Sequence, residues 1–178
     1  MNIAVFCGSA TGKNSIYADA ARELGVLLAQ REHTLVYGGG NIGLMGILAD
    51  AVLSRGGNVI GVIPGFLFEK EVGHTGVTQL EVVSSMHERK KRMADLADAF
   101  IMMPGGWGTL DETAEILTWR QLALISQPVG ILNINSFFDP LIEQMNRMTA
   151  EGFLKPVHLN SVIMDDSPAR LLDRLSGL

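Results

Sequence analysis

Short runs of apolar, β-branched residues alternate along the chain with longer segments whose apolar positions recur every three to four residues. Ile3–Phe6 reads as a strand. A helix from about Asn14 to Gln30 follows, carrying Ile16, Ala20, Leu24, Leu27 and Leu28 at helical spacing. Thr34–Tyr37 is a second strand, then Gly38-Gly39-Gly40, then a helix to about Ser54 that Arg55-Gly56-Gly57 stops. Asn58–Ile63 and Leu80–Val83 are predicted strands, and Met86–Ala97 a helix. Phe100–Met103, Thr109–Ile125, Val129–Ile134 and Phe137–Thr149 continue as strand, helix, strand and helix, with Leu159–Met164 a last strand and Pro168–Leu175 a closing helix. Strands that are nearly continuous apolar runs belong to a parallel sheet covered on both faces. The whole of 1–178 is therefore expected to be one doubly wound, Rossmann-like α/β domain with a mostly parallel sheet.

In such a sheet the ligand sits outside the carboxyl ends of the strands, where glycine turns lead into helices. Gly8-Ser9, Gly38–Gly43 and Gly105–Gly108 all follow strands and precede helices, so all three should line one rim. The first resembles a P-loop only superficially. Three residues separate Gly8 from Gly12 instead of four, and Asn14 stands where a magnesium-binding hydroxyl belongs. The second fits G-x-G-x-x-G, but the next strand, Asn58–Ile63, ends in Pro64 with no acid for a ribose hydroxyl. That favours close backbone approach to a ligand, at Gly40 for example, over a dinucleotide site. The third, Pro104-Gly105-Gly106-Trp107-Gly108-Thr109, leaves the backbone bare just where helix amides lack internal partners, a natural seat for phosphate. Thr109-x-x-Glu112 also fits a capping box.

At about 100° per residue, Glu112, Glu115 and Trp119 share one side of the helix that follows. Leu110, Ala114, Leu117 and Leu124 take the other side and are expected to pack on the sheet. Ile116, Trp119, Leu122 and Ala123 form a second apolar stripe, and two stripes need two partners: the sheet and a second subunit. Glu112 and Glu115 lie near the positive end of the helix and should be ionised. Upstream, Ser85-x-x-Glu88 caps a helix on which Met86, Lys90, Met93 and Ala97 align. Arg89 borders that stripe, where a permanently charged guanidinium can clamp a phosphate or carboxylate. His87 reads as an exposed residue at the helix start.

Composition narrows the partners. Of 178 residues, 47% are apolar and 19% charged, and the net charge of -5 argues against a nucleic-acid polymer as ligand. Apolar runs fall short of the ~18 residues of a membrane span, and Met1–Ser9 reads as a strand, not a signal peptide. One cysteine, Cys7, excludes an internal disulfide, and His33, His74, His87 and His158 match no metal-ligand spacing. A cytoplasmic protein with neither metal nor cofactor is expected.

Pro-Gly-Gly-Trp-Gly-Thr-Leu-Asp-Glu (104–112), with Met86-His87-x-Arg89-Lys90-x-x-Met93, resembles the "Lonely guy" family of cytokinin-activating phosphoribohydrolases, whose members are often mislabelled lysine decarboxylases. Cys7-Gly8-Ser9 and Tyr37-Gly38-Gly39-Gly40-x-x-Gly43-Leu44-Met45-Gly46 extend the resemblance over almost the whole chain. It implies cleavage of the N-glycosidic bond of a nucleoside 5′-monophosphate, releasing free base and ribose 5-phosphate. It points to Arg89 and Glu112 as catalytic residues. Ser9, Gly105, Gly106, Gly108 and Thr109 would hold the phosphate end, Glu115 the ribose, and Gly40, Met86 and Lys90 the remainder of the substrate. A homodimer or an assembly of dimers is implied as well, with sites near the interface. A lysine decarboxylase would need a pyridoxal Schiff base, and the five lysines (Lys13, Lys70, Lys90, Lys91, Lys155) sit in no recognisable cofactor module. A non-catalytic nucleotide sensor could use the same loops, and the sequence leaves it open. It also leaves open the choice between AMP and N6-substituted nucleotides, the role of the 64–76 loop, and the proton donor to the departing base.

Overall fold

The computed structural model describes residues 1–68 and 73–177. Among them, strands β1 (Asn2–Phe6), β2 (Thr34–Tyr37), β3 (Val59–Pro64), β4 (Gln79–Val83), β5 (Ala99–Met102), β6 (Val129–Leu132) and β7 (Val162–Asp165) form one sheet in the order β4-β3-β2-β1-β5-β6-β7. Every pairing is parallel. The chain winds outward from β1 to β4, returns to β5 beside β1, and winds out the other way. The order reverses between β1 and β5, so the crevice for a ligand opens at their carboxyl ends.

Helices cover both faces. On one side lie α1 (Ile16–Gln30), α2 (Gly43–Leu53) and α8 (Pro168–Ser176), over a core that includes Leu24, Leu28, Leu48, Val52, Leu171 and Leu175. The i, i+4 spacing of Ala20, Leu24 and Leu28 turns one stripe of α1 inward. On the other side α4 (Met86–Leu96) and α5 (Trp107–Gln121) bury Met93, Ala94 and Ile116 against Ala4, Val36 and Phe100. Farther along that face, α6 (Asp139–Ala150) and α7 (Pro156–Asn160) add Met145 and Leu159. A single helical turn, α3 (Gly65–Phe68), follows β3. Of the 64–76 loop, residues 69–72, Lys70 among them, lie outside the described residues.

Several boundaries differ from expectation for identifiable reasons. The predicted helix 109–125 starts two residues earlier, at Trp107, with Gly106 at its N-cap. Thr109 is thus a buried residue of the first turn and caps nothing. The same helix ends at Gln121, because Ala123 turns into the left-handed region at φ 56°, and Leu124 is left 67% exposed. The expected strand 159–164 splits into α7, begun by Pro156 at its first position, and β7. Asn135 and Ser136 also take positive φ, in a short 3-10 turn that delays α6 to Asp139.

Candidate active site

The end of β1 and the end of β5 are stitched together by backbone. Met103 N–H donates to Phe6 O (2.9 Å) and Gly8 N–H to Pro104 O (3.1 Å), so Cys7-Gly8-Ser9 lies against Pro104-Gly105-Gly106. Gly105 must lack a side chain there: a Cβ would sit 2.1 Å from Thr109 Oγ1 and 2.9 Å from Gly8 N. Gly106 and Gly108, by contrast, face open space, with nothing within 4 Å of where a Cβ would be. The first amides of α5 therefore meet a bare surface. They lack intrahelical acceptors and carry the positive end of the helix dipole.

Arg89 reaches this place from α4. Ser85 caps that helix by accepting from Glu88 N–H (3.2 Å), while the Glu88 carboxylate accepts from Ser84 N–H (2.7 Å) and Ser84 Oγ–H (2.6 Å). One turn in, the Arg89 side chain is buried, with Nε donating to Val62 O (3.2 Å) and Nη2 to Gly38 O (3.1 Å). Gly38 makes room for it, since a Cβ there would lie 1.8 Å from Nη2. Arg89 Nη1 then stands 3.6 Å from Glu112 Oε1 and 3.9 Å from the Met86 sulfur.

Glu112 occupies a face of α5 opposite to the expected one. Thr109, Glu112, Thr113 and Ile116 point inward, while Leu110 and Leu117 pack as expected by Met102 and Ile131 of the sheet and, with Ala114, line a groove toward α6 and α7. Burying the acid on the sheet side is made tolerable by the guanidinium that arrives from α4, because an unpaired buried charge is costly.

A cavity of about 160 Å³ opens above this pair. It gathers Ser9, Arg89, Gly106, Gly108, Thr109 and Glu112 around one space. Cys7, Met45 and Trp107 also line it. The sequence alone does not mark these three as contacts, although Cys7 and Met45 stand inside the glycine-bearing motifs and Trp107 inside the third glycine loop. Burial, and secondarily the negative charge of Glu112, push the Cys7 thiol far above its ordinary range, against the pull of Arg89. The thiol stays protonated.

The remaining expected contacts sit apart from this cavity. Gly105 underlies the loop and lines an adjoining cavity of about 290 Å³ with Ser9 and Gly106. Gly40 is taken up in an antiparallel bridge to Gly73. Lys90 pairs with Asp111 (3.0 Å) and Glu115 (3.1 Å), tying α4 to α5. Burial alone would lower the Lys90 amine, but these two carboxylates outweigh it and raise it. An amine held so firmly as ammonium does not fit the lysine of a pyridoxal Schiff base, which reacts as the free amine. Among the described residues, no group of three His, Cys, Asp or Glu side chains is placed to hold a metal ion, and no helix is long and apolar enough to cross a membrane.

The chain is similar to known proteins along most of its length. The profile of the family described as "Possible lysine decarboxylase" matches residues 45–175. A protein of Oryza sativa subsp. japonica named as a probable cytokinin riboside 5′-monophosphate phosphoribohydrolase is 44% identical over 173 residues, covering 97% of this chain and 71% of its own length. An Arabidopsis thaliana cytokinin riboside 5′-monophosphate phosphoribohydrolase is 43% identical over 173 residues, covering 97% of this chain and 81% of its own. Among solved structures, the molybdenum cofactor binding protein of Rippkaea orientalis superposes with a TM-score of 0.74 at 22% identity, covering 99% of this chain and 95% of that one. The structural-genomics target TM1055 does so with 0.75 at 20% identity, over 99% of both chains. At these identities the two structures show a shared fold and no more.

Proposed function

The chain belongs to the Lonely guy family of cytokinin riboside 5′-monophosphate phosphoribohydrolases, and from that premise we propose that its site seats a nucleoside 5′-monophosphate with the phosphate on the α5 amides and the sugar over Glu112. The activity is hydrolysis of the N-glycosidic bond, giving free base and ribose 5-phosphate. The observation that carries the assignment of roles is the buried Arg89–Glu112 pair, 3.6 Å apart at the floor of the cavity beneath the glycine loop.

Breaking the bond between C1′ and the base nitrogen builds positive charge on the ribose, as in glycoside hydrolysis. A fixed carboxylate on one face stabilises that charge and orients a water molecule. The water oxygen bonds to C1′, one of its protons passes to Glu112, and the departing nitrogen takes a proton from solvent. After Glu112 releases its proton, the net change is one water consumed. Arg89 holds its charge throughout and is a poor proton donor. Its part is to hold substrate and stabilise the departing base. Its orientation is preset by the Val62 and Gly38 carbonyls, so little reorganisation is needed on binding. Phosphate binding at the far end supplies positioning energy.

A homodimer is part of the proposal. Among the described residues the cavity around Arg89 and Glu112 measures about 160 Å³, below the ~300 Å³ at which ligand pockets usually begin, and a second copy would add walls for the base. An apolar groove of about 430 Å³ lies between α5 and α6–α7, and Leu122, Leu124 and Phe153 are 60%, 67% and 85% exposed. Surface of that kind suits a second copy. Sedimentation equilibrium should return twice the chain mass; a monomer at micromolar concentration would remove this part. The lone, buried, protonated Cys7 suits a reducing compartment, and a cytoplasmic location belongs to the same reading.

Phosphate dependence tests the seating. The protein should release base from a nucleoside 5′-monophosphate and leave the corresponding nucleoside intact. Equal rates on both would contradict a phosphate seat at α5.

A further inference from the structure

We infer that His74, 15 residues before Arg89 in sequence, is a positioning residue that sets the Arg89 guanidinium through the Gly38–Gly40 loop. The inference rests on the role given above to Arg89. His74 is 7% exposed. Its Nδ1 accepts from Gly76 N–H (3.3 Å), which leaves the proton on Nε2, 3.0 Å from Asp50 Oδ1 on α2. The imidazole is thus anchored at both nitrogens. Its backbone is anchored too: His74 N–H donates to Gly39 O (3.0 Å), and Gly73 bridges Gly40.

The glycine loop needs such an anchor. Three consecutive glycines have no side chains to pack and the greatest backbone freedom of any residue type. Gly39 takes φ +77°, with Ile63 Cβ only 2.9 Å from where its own Cβ would sit. The neighbouring Gly38 carbonyl is one of the two acceptors that fix Arg89, at 3.1 Å from Nη2. The His74 backbone N–H bonds the residue after Gly38 and the Arg89 guanidinium bonds Gly38 itself, so the imidazole, by fixing its own backbone through Asp50 and Gly76, steadies the strand end that holds the guanidinium. Loosening one frees the other. His74 lies outside the residues that line the cavity, so it acts on the reaction only through this loop.

The test is a double-mutant cycle with a second readout that needs no turnover. His74→Ala should lower kcat about ten- to a hundredfold, the scale on which small misplacements of a catalytic group act. KM should change far less. His74→Gln, whose amide can still donate to Asp50, should recover most of the loss. In an Arg89→Lys background, where no guanidinium bonds Gly38 O, His74→Ala should have little further effect. In parallel, exchange of the Arg89 Nη2 protons, which bond Gly38 O, followed by NMR, should be slow in the wild type and at least about tenfold faster in His74→Ala. Unchanged Arg89 exchange in His74→Ala would overturn the inference. So would an equal kcat loss in both backgrounds accompanied by a matching fall in Tm. Should the wild type cleave no nucleotide, the assigned reaction fails, and the exchange rates still decide the positioning role.

Discussion

Arg89 Nη1 and Glu112 Oε1 stand 3.6 Å apart, with each side chain only 8% exposed. Buried ion pairs of this kind rarely repay the desolvation of both charges, so stability is a poor reason for keeping one. Here the pair lies at the floor of a cavity under a helix N-terminus, and the guanidinium is already held by two carbonyls. Chemistry accounts for the arrangement better than folding does.

Glu112→Gln keeps the volume and one oxygen while removing the charge. It should cut release of base by about 10² or more, with Tm within a few degrees of wild type. Arg89→Ala differs in kind, because it removes the positive charge beside a buried carboxylate together with a buried side chain bonded to two carbonyls. It should cost about 3–5 kcal/mol of stability as well as activity, read by urea unfolding. Near-normal turnover in Glu112→Gln would take that residue out of the reaction.

The glycines of the third loop separate space for the fold from space for the ligand. Gly105→Ala drives a methyl to within 2.1 Å of Thr109 Oγ1 and should destabilise by about 1–3 kcal/mol. Gly108→Ala meets nothing within 4 Å and lies inside a helix, so it should hold or raise Tm while weakening ribose 5-phosphate binding. Thermal melts beside calorimetric titrations distinguish the two.

Cys7 should be silent in the native state. Its thiol is buried and held protonated, so a disulfide-exchange reagent at pH 8 should count no reactive thiol before denaturation and one after. Rapid native labelling would show the cavity floor to be open to bulky reagents.

Stability should fall on acidification partly through Glu81. Arg92 donates to its two oxygens (2.6 and 2.9 Å) and holds the carboxyl below the ordinary value of about 4.3. A depressed folded value means that the contribution is complete above the unfolded value and disappears as pH drops through the folded one. The excess of wild-type Tm over Glu81→Gln should therefore be constant from pH 7 to 5 and shrink below about pH 4. Arg92 is 42% exposed, which keeps the effect at or below about 1 kcal/mol. A difference that grows on acidification would reverse the assignment.

Much of this molecule is legible in one dimension. The alternation of apolar runs and helical stripes yields the parallel sheet, and the turns after β1, β2 and β5 mark the rim on which Ser9, Gly106 and Gly108 meet. Arg89 stands out because it borders the apolar stripe of α4. Other features depend on what neighbouring elements supply. Hydropathy assigns Glu112 to the side away from the sheet, yet Arg89 from another helix lets it turn inward. Lys90 reads as a substrate contact, and no local pattern shows that α5 also brings Asp111 and Glu115 to within 3.1 Å of it. Thr109 matches a capping pattern, but the bare backbone of Gly106 already begins the helix. For Glu112 and Lys90 a tertiary neighbour, absent from any local window, decides the surroundings, whereas for Thr109 a glycine three residues earlier does.

Incubating the purified protein with AMP and with N6-isopentenyladenosine 5′-monophosphate, and quantifying free base together with ribose 5-phosphate, tests the assigned chemistry most directly. The two products should appear in equal amounts from at least one of the nucleotides, and their ratio between substrates reports the base preference. Saturable binding of both nucleotides with no product from either would instead identify a nucleotide sensor and contradict the hydrolytic role of Glu112.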